Sequence, residues 1–332
     1  MQIKCRTAGM AAAAVAVGLA SSSALAQALV KIDGSSTVYP ITEAVAEEFQ
    51  KSKKNAIKVT VGISGTGGGF KKFCRGETDI SDASRPIVRK EMEACAAVGI
   101  KYVELPVAFD ALTVVLHPSN TFAANLKPEQ LKVMWEPAAQ GKITNWKQVD
   151  ASFPDMPLKL YGPGADSGTF ENFTEAITGK AKASRGDYTA SEDDNVLVQG
   201  VSRDKGGIGY FGFAYYIENA SKLKAAAIWN GKRFVAPSAK VVEDGSYQPL
   251  ARPIFIYINA KSLGRPEVRE FVYFYMKHGA ALTKEVKYVP LPARIYEINS
   301  EHVNKMKLGT VFRGAPEVGV RIDELVKRET MG

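Results

Sequence analysis

Leu29-Val30-Lys31-Ile32-Asp33-Gly34-Ser35-Ser36-Thr37-Val38, followed by Ile41, Val45 and Phe49, compresses a strand, a turn and a helix into one short stretch. The first four residues are mostly apolar and read as a strand. The next six are small, polar or hydroxyl-bearing and read as a turn. Ile41, Val45 and Phe49 then recur every four residues, which places them on one face of a helix. The same grammar returns twice. Ile57 to Ile63 alternates as a strand, and Ser64-Gly65-Thr66-Gly67-Gly68-Gly69 forms a glycine-rich turn into Phe70-Lys71-Lys72-Phe73. Leu158-Lys159-Leu160-Tyr161 runs through Gly162-Pro163 and Asp166-Ser167-Gly168-Thr169 into a helix marked by Phe170, Phe173 and Ile177. Strands alternating with amphipathic helices predict an α/β architecture.

The three turns share the chemistry of an anion site. A helix N-terminus presents N–H groups without intrahelical partners, its dipole favours negative charge, and glycine lets a ligand approach the backbone. Ser and Thr add neutral donors. Each hydroxyl could instead cap its own helix, but three such turns in one chain argue for a shared site. Enzymatic readings fail on spacing. No G-x-x-x-x-G-K-[ST] can be written across Gly62 to Lys72, and a dinucleotide fingerprint read from Gly65 meets Phe70 where its last glycine belongs. A nucleophile elbow centred on Ser64 would need glycine where Thr66 stands.

The N-terminus carries Lys4 and Arg6 ahead of a small, apolar run from Ala11 to Ala20, then Ala24-Leu25-Ala26. That is the form of a secretory signal with cleavage after Ala26, so residues 1–26 are expected to be removed on export to the periplasm. Cys74 and Cys95 then remain as a pair, expected to form a disulfide in an oxidising compartment; two buried thiols are the alternative. Closing that loop contributes roughly 3 kcal/mol on the chain-entropy estimate. His117, His278 and His302 are scattered and neither cysteine has C-x-x-C spacing, so no metal and no cofactor is expected. The full chain of 332 residues carries +8, and removing the signal leaves about +6. Its Lys and Arg are spread without a basic tract, which argues against nucleic acid. The run Tyr210-Phe211-Gly212-Phe213-Ala214-Tyr215-Tyr216 reads as core, and the face with Glu43, Glu47 and Glu48 as solvated surface.

In its motifs the chain resembles the phosphate-binding protein of the bacterial high-affinity phosphate ABC transporter, a class II periplasmic binding protein. The likeness is carried by Ile32 to Val38, Gly65 to Phe70, Gly76 to Pro86, Ile143-Thr144-Asn145-Trp146 and Gly162 to Phe170, in this order. The resemblance implies a two-lobed clamshell of mixed sheets flanked by helices and joined by two hinge strands. Lobe 1 would comprise residues 27–105 and 254–332, lobe 2 residues 106–253, with crossings near Glu104 to Val107 and Pro253 to Ile256. It implies no enzyme but a monomeric carrier of inorganic phosphate, serving the transmembrane permease subunits of an ABC importer. By motif position, Ser36, Thr37 and Val38, then Ser64 or Thr66, and Ser167, Gly168 and Thr169 would donate to the phosphate oxygens.

Two departures from the best-known branch fall on charged contacts. Ser84 stands where that branch has an aspartate accepting the phosphate proton, and Gly162-Pro163 where it has an arginine. Arg85 is the expected replacement cation, or else an ion-pair partner of a nearby carboxylate; Asp166 or Asp82 is the expected proton acceptor. An acceptor carboxylate separates protonated phosphate from unprotonated sulfate. A phosphatase or phosphoesterase, a carrier of another tetrahedral oxyanion such as sulfate, and a surface-adhesive role are the alternatives.

Overall fold

A computed structural model describes residues 28–165, 167–191, 193–314 and 319–331. The signal segment 1–26 and Asp166 lie outside the described residues. β1 (Ala28–Gly34) leads to α1 (Tyr39–Ser52), β2 (Ile57–Ile63) to α2 (Gly65–Phe73) and β3 (Ile80–Ala83) to α3 (Arg89–Ala97). β1 lies between β2 and β3 and is parallel to both. Val30 and Ile32 are buried, as are Ile41, Val45 and Phe49 on α1, so the four-residue spacing read from the sequence is the core-facing stripe.

β4 (Tyr102–Leu116) follows, with all 15 residues buried. The chain continues through β5 (Asn125–Leu126), α4 (Pro128–Trp135), α5 (Trp146–Val149), β6 (Lys159–Gly162), α6 (Gly168–Thr178), β7 (Thr189–Ala190), α7 (Asp194–Arg203), β8 (Gly207–Gly212) and α8 (Phe213–Glu218). Three short strands, β9 (Lys224–Ala225), β10 (Ala227–Trp229) and β11 (Phe234–Val235), precede α9 (Ala239–Glu243). β12 (Ala251–Asn259) returns the chain, and α10 (Pro266–Glu285), β13 (Val289–Pro290), α11 (Ala293–Lys305) and α12 (Ile322–Met331) close it.

The strands run in the order β2-β1-β3-β12-β4-β8-β6-β7, with β9 and β13 also on β4; β11-β10-β5 form a small separate sheet. This is the α/β architecture expected from the alternation. β4 joins the two ends: from Tyr102 to Ala111 it pairs antiparallel with β12, and from Leu112 to Leu116 with β8. The ladder with β12 slips between Ile254 and Phe255, leaving Val107 as a bulge beside Pro106. Proline removes a ladder donor and is tolerated at such an irregularity. The loosened carbonyls are satisfied from α11, by Tyr296 Oη on Val107 O and Asn299 Nδ2 on Pro106 O, both at 2.7 Å.

One element differs from its expectation. The glycine-rich turn at 65–69 is already helix, since α2 starts at Gly65. Glycine is a poor helix former, but here packing prevails. A Cβ at Gly69 would stand 2.6 Å from Gly34 Cα, so bare backbone is what lets α2 lie on the β1 turn. The aromatic run also divides: Tyr210 and Phe211 are core, whereas Tyr215 is exposed on α8.

Cys74, at the end of α2, is bonded to Cys95 of α3, with Cα atoms 4.3 Å apart. Replacing both cysteines with alanine is expected to lower unfolding free energy by about 3 kcal/mol. Denaturant titration with and without reductant checks this, the reduced wild type falling to the level of the double variant.

Asp82 on β3 is fully buried and faces α1 and α10 rather than the turns. Thr42 Oγ1 meets its Oδ1 at 3.2 Å and also contacts Tyr275 Oη, while Asp82 Oδ2 has no hydrogen-bond partner among the described residues. This disfavours Asp82 as acceptor of a ligand's proton. Burial pushes its pKa up to about 8. Because the folded state prefers the protonated acid, Asp82 contributes fully below the unfolded value near 4 and its contribution is lost as pH rises through about 8. Asp82→Asn is therefore expected to flatten the fall in stability between the unfolded value near 4 and about pH 8. Thermal melts of both proteins from pH 5 to 9 test it.

Candidate functional site

The three hydroxyl-rich turns read from the sequence sit at the starts of α1, α2 and α6. The first and third meet directly. Ser36 Oγ accepts the Gly168 N–H at 2.7 Å, and a Cβ on Gly168 would lie 2.0 Å from Thr37 Oγ1 and 2.9 Å from Thr37 N. Only glycine admits this approach of the α6 N-terminus to the β1–α1 turn. Thr37 is buried, and its Oγ1 has no hydrogen-bond partner among the described residues. Its N–H donates to Ser35 Oγ at 3.2 Å, while the Ser35 N–H donates to Asp82 O at 3.0 Å, so Ser35 ties the turn to β3. Val38 is the α1 N-cap, fully buried and without a side-chain cap.

Around the second turn, Thr66 and Ser84 are both buried. Thr66 Oγ1 accepts the Ser84 N–H at 3.0 Å and lies 2.9 Å from Ser84 Oγ. Ser64 is exposed and donates its hydroxyl proton to Asp33 Oδ1, while Lys72 Nζ holds Asp33 Oδ2 at 2.7 Å. Of the two residues left open by the sequence, Thr66 is the one facing inward. At the third turn, Ser167 Oγ accepts the Thr169 N–H at 3.1 Å, so here the hydroxyl does cap its own helix.

The charges are arranged as follows. Arg85 makes a two-pronged ion pair with Glu91, Nη1 to Oε2 at 2.9 Å and Nη2 to Oε1 at 2.8 Å, while its Nη2 lies 4.0 Å from a Cβ built on Gly67 in the first turn of α2. It is thus beside the site and already partnered. Gly162 has no room for a long side chain: a Cβ there would be 3.0 Å from Tyr210, 3.2 Å from Trp135 and 3.3 Å from Tyr188. That aromatic cluster crowds any side chain placed on Gly162.

Sequence reasoning missed a second charged group. Arg252 on β12 is buried between Glu175 of α6, 3.6 Å away, and Asp110 of β4, 4.0 Å away. These distances exceed hydrogen bonds, and Arg252 Nε and Nη2 have no hydrogen-bond partner among the described residues. Asn172 Nδ2 donates to Asp110 Oδ2 at 3.1 Å. Burial raises the Asp110 carboxyl, with Arg252 opposing, and burial lowers the Arg252 guanidinium. A lone Asp and a lone Arg inside otherwise apolar strand runs were the available signal.

Beside Thr169 a cavity of about 250 Å³ extends between Pro40, Phe109, Asp110 and Tyr288. A larger cavity, about 610 Å³, lies against α12 and is lined by none of the three turns. No cluster of metal-ligating residues occurs among the described residues, and no helix there is long and apolar enough to cross a membrane.

Comparison with known proteins identifies the family. The model of the PBP superfamily domain matches residues 20–278. Protein SphX of Synechococcus elongatus is 56% identical over 304 residues, covering 91% of this chain and 89% of the relative. The phosphate-binding protein PstS of Staphylococcus saprophyticus is 39% identical over 271 residues, covering 80% and 82%. A solved structure of a possible phosphate binding protein from Planctomyces limnophilus superposes with a TM-score of 0.75 at 49% identity, over 84% of this chain and 98% of that one. The chain therefore belongs to the PBP superfamily and, within it, to the family of the PstS phosphate-binding proteins.

Proposed function

We propose that this chain binds inorganic phosphate between two lobes, residues 27–105 with 254–332 and residues 106–253, and delivers it to the permease subunits of an ABC importer. The observation that carries this reading is the meeting of the α1 and α6 starts at Ser36, Thr37 and Gly168, with a buried, unpartnered hydroxyl at Thr37. A tetrahedral oxyanion fits such a place because its oxygens accept from several backbone N–H and hydroxyl donors at once. Donors would come from Ser36, Thr37 and Val38, from Thr66 and Ser84, and from Ser167, Gly168 and Thr169. Arg85 flanks the site with its charge balanced by Glu91, and Ser64 supports the turn from outside. Ser36 Oγ now sits on the Gly168 N–H, so phosphate must displace it to gain that donor.

Binding would stabilise the closed arrangement of the lobes, which the permease then recognises. The likeness to PstS, named as phosphate-binding, supports the choice of ligand over other oxyanions. Binding for transport, and not catalysis, is the corresponding activity. Export after cleavage behind Ala26, a periplasmic location and a monomeric state complete the proposal.

Isothermal titration of the mature protein, stripped of ligand, is expected to show one-to-one phosphate binding from pH 5 to 8.5, with sulfate silent; equal binding of both, or of neither, overturns the reading. Gly168→Ala is expected to weaken phosphate binding by about ten- to a hundredfold while the protein stays folded by circular dichroism. The added methyl group collides with Thr37 and holds the helix start away from the turn.

A further inference from the structure

The geometry points to a second binding site, apart from the three turns, in the cavity against α11 and α12, suited to the phosphate ester of a small polyol. The cavity, about 610 Å³, falls within the roughly 300–1,000 Å³ that small ligands occupy, and its lining is divided by chemistry. Glu104, His302 and Glu329 are buried and form its inner end, while Arg313 and Lys327 are exposed and form its mouth.

The inner end holds an unanswered acceptor. Glu329 is only 3% exposed, and its Oε1 has no hydrogen-bond partner among the described residues. Its Oε2 faces His302 Nδ1 at 3.4 Å and Lys307 Nζ at 4.0 Å, the latter beyond hydrogen-bond range. Lys307 Nζ is committed to His302 Nε2 at 3.1 Å and to the Glu329 carbonyl at 3.2 Å. Glu104 is answered within the fold, its Oε2 by Tyr257 Oη at 2.5 Å and its Oε1 by the Val311 N–H at 3.1 Å. A buried polar atom without a partner is unfavourable, and a ligand donor reaching Glu329 removes that penalty.

The neighbours decide what kind of donor fits. An ammonium group or a metal ion at this end would meet the like charge of Lys307. A hydroxyl is neutral, donates to a carboxylate and accepts from a carboxylic acid, so it suits either state of Glu329. That matters here because burial pushes the carboxyls of both Glu329 and Glu104 upward. The mouth sets the other end of the ligand. Arg328 is paired with Glu324, but neither Arg313 nor Lys327 has a carboxylate partner among the described residues. A guanidinium and an ammonium together suit a phosphate dianion. Hydroxyls inward and phosphate outward satisfy both ends at once.

The test is isothermal titration of the mature protein with glycerol 3-phosphate, with and without enough inorganic phosphate to fill the cleft. Glycerol alone is the control, and phosphatidylglycerol vesicles present the same chemistry on a lipid. Glycerol 3-phosphate is expected to bind one-to-one whether or not inorganic phosphate is present, with glycerol silent. The Arg313→Ala, Lys327→Ala double variant and Glu329→Ala are each expected to weaken it by about tenfold or more. The Lys142→Ala, Lys147→Ala double variant, which removes two exposed cations elsewhere, is expected to bind as wild type. The mouth variant alters only exposed side chains, so the inference stays testable if Glu329→Ala loosens α12. Vesicle binding with the same losses adds a lipid headgroup as a source and keeps the site. Absence of binding, abolition by inorganic phosphate, equal binding of glycerol, or indifference to both site variants overturns the inference. Inorganic phosphate binding by the wild type is read in a separate titration, so failure of the parent reading is told apart.

Discussion

The molecule depends on backbone approaching backbone without side chains between. Gly34 and Gly69 bring α2 down onto the β1 turn, and Gly168 brings the start of α6 against Ser36 and Thr37. Each contact replaces the insulating layer of side chains with direct access to peptide dipoles. Helix starts that would normally be kept apart by side chains thus come within reach of one another, and that is what gathers three ordinary strand–turn–helix units around one point.

The long β4 strand makes this convergence possible. One half is laddered to β12 and the other to β8, so the two ends of the sheet share a single buried axis. The bulge at Val107 interrupts that axis in the middle, and α11 ties its carbonyls. A strand that is buried throughout yet irregular at one point couples the two ends without fusing them into one flat sheet.

Much of this was legible in the residues. The helix stripes at Ile41, Val45 and Phe49, and at Phe170, Phe173 and Ile177, gave the element types because burial imposes their spacing. The cysteine pair followed from counting. The start of α2 was not legible, since local propensity argues against a helix of glycines and only the packing on Gly34 explains it. Nor was the charge arrangement: Arg252, Asp110 and Glu175 come from three distant stretches, and no local spacing reveals that strands β4 and β12 set an arginine opposite an aspartate. Arg85 was visible as a cation, but its partner Glu91 depended on how α3 turns back toward the second turn.

The bond between Cys74 and Cys95 makes one part of the fold depend on redox conditions. α2 is a helix of weak intrinsic stability, yet it supplies the Thr66 wall of the site, and the covalent link anchors its far end to α3. In a reducing environment that anchor does not exist and the helix rests on packing alone. Oxidation then stiffens the helix that carries Thr66, so the reduced chain is looser at this point than the oxidised one.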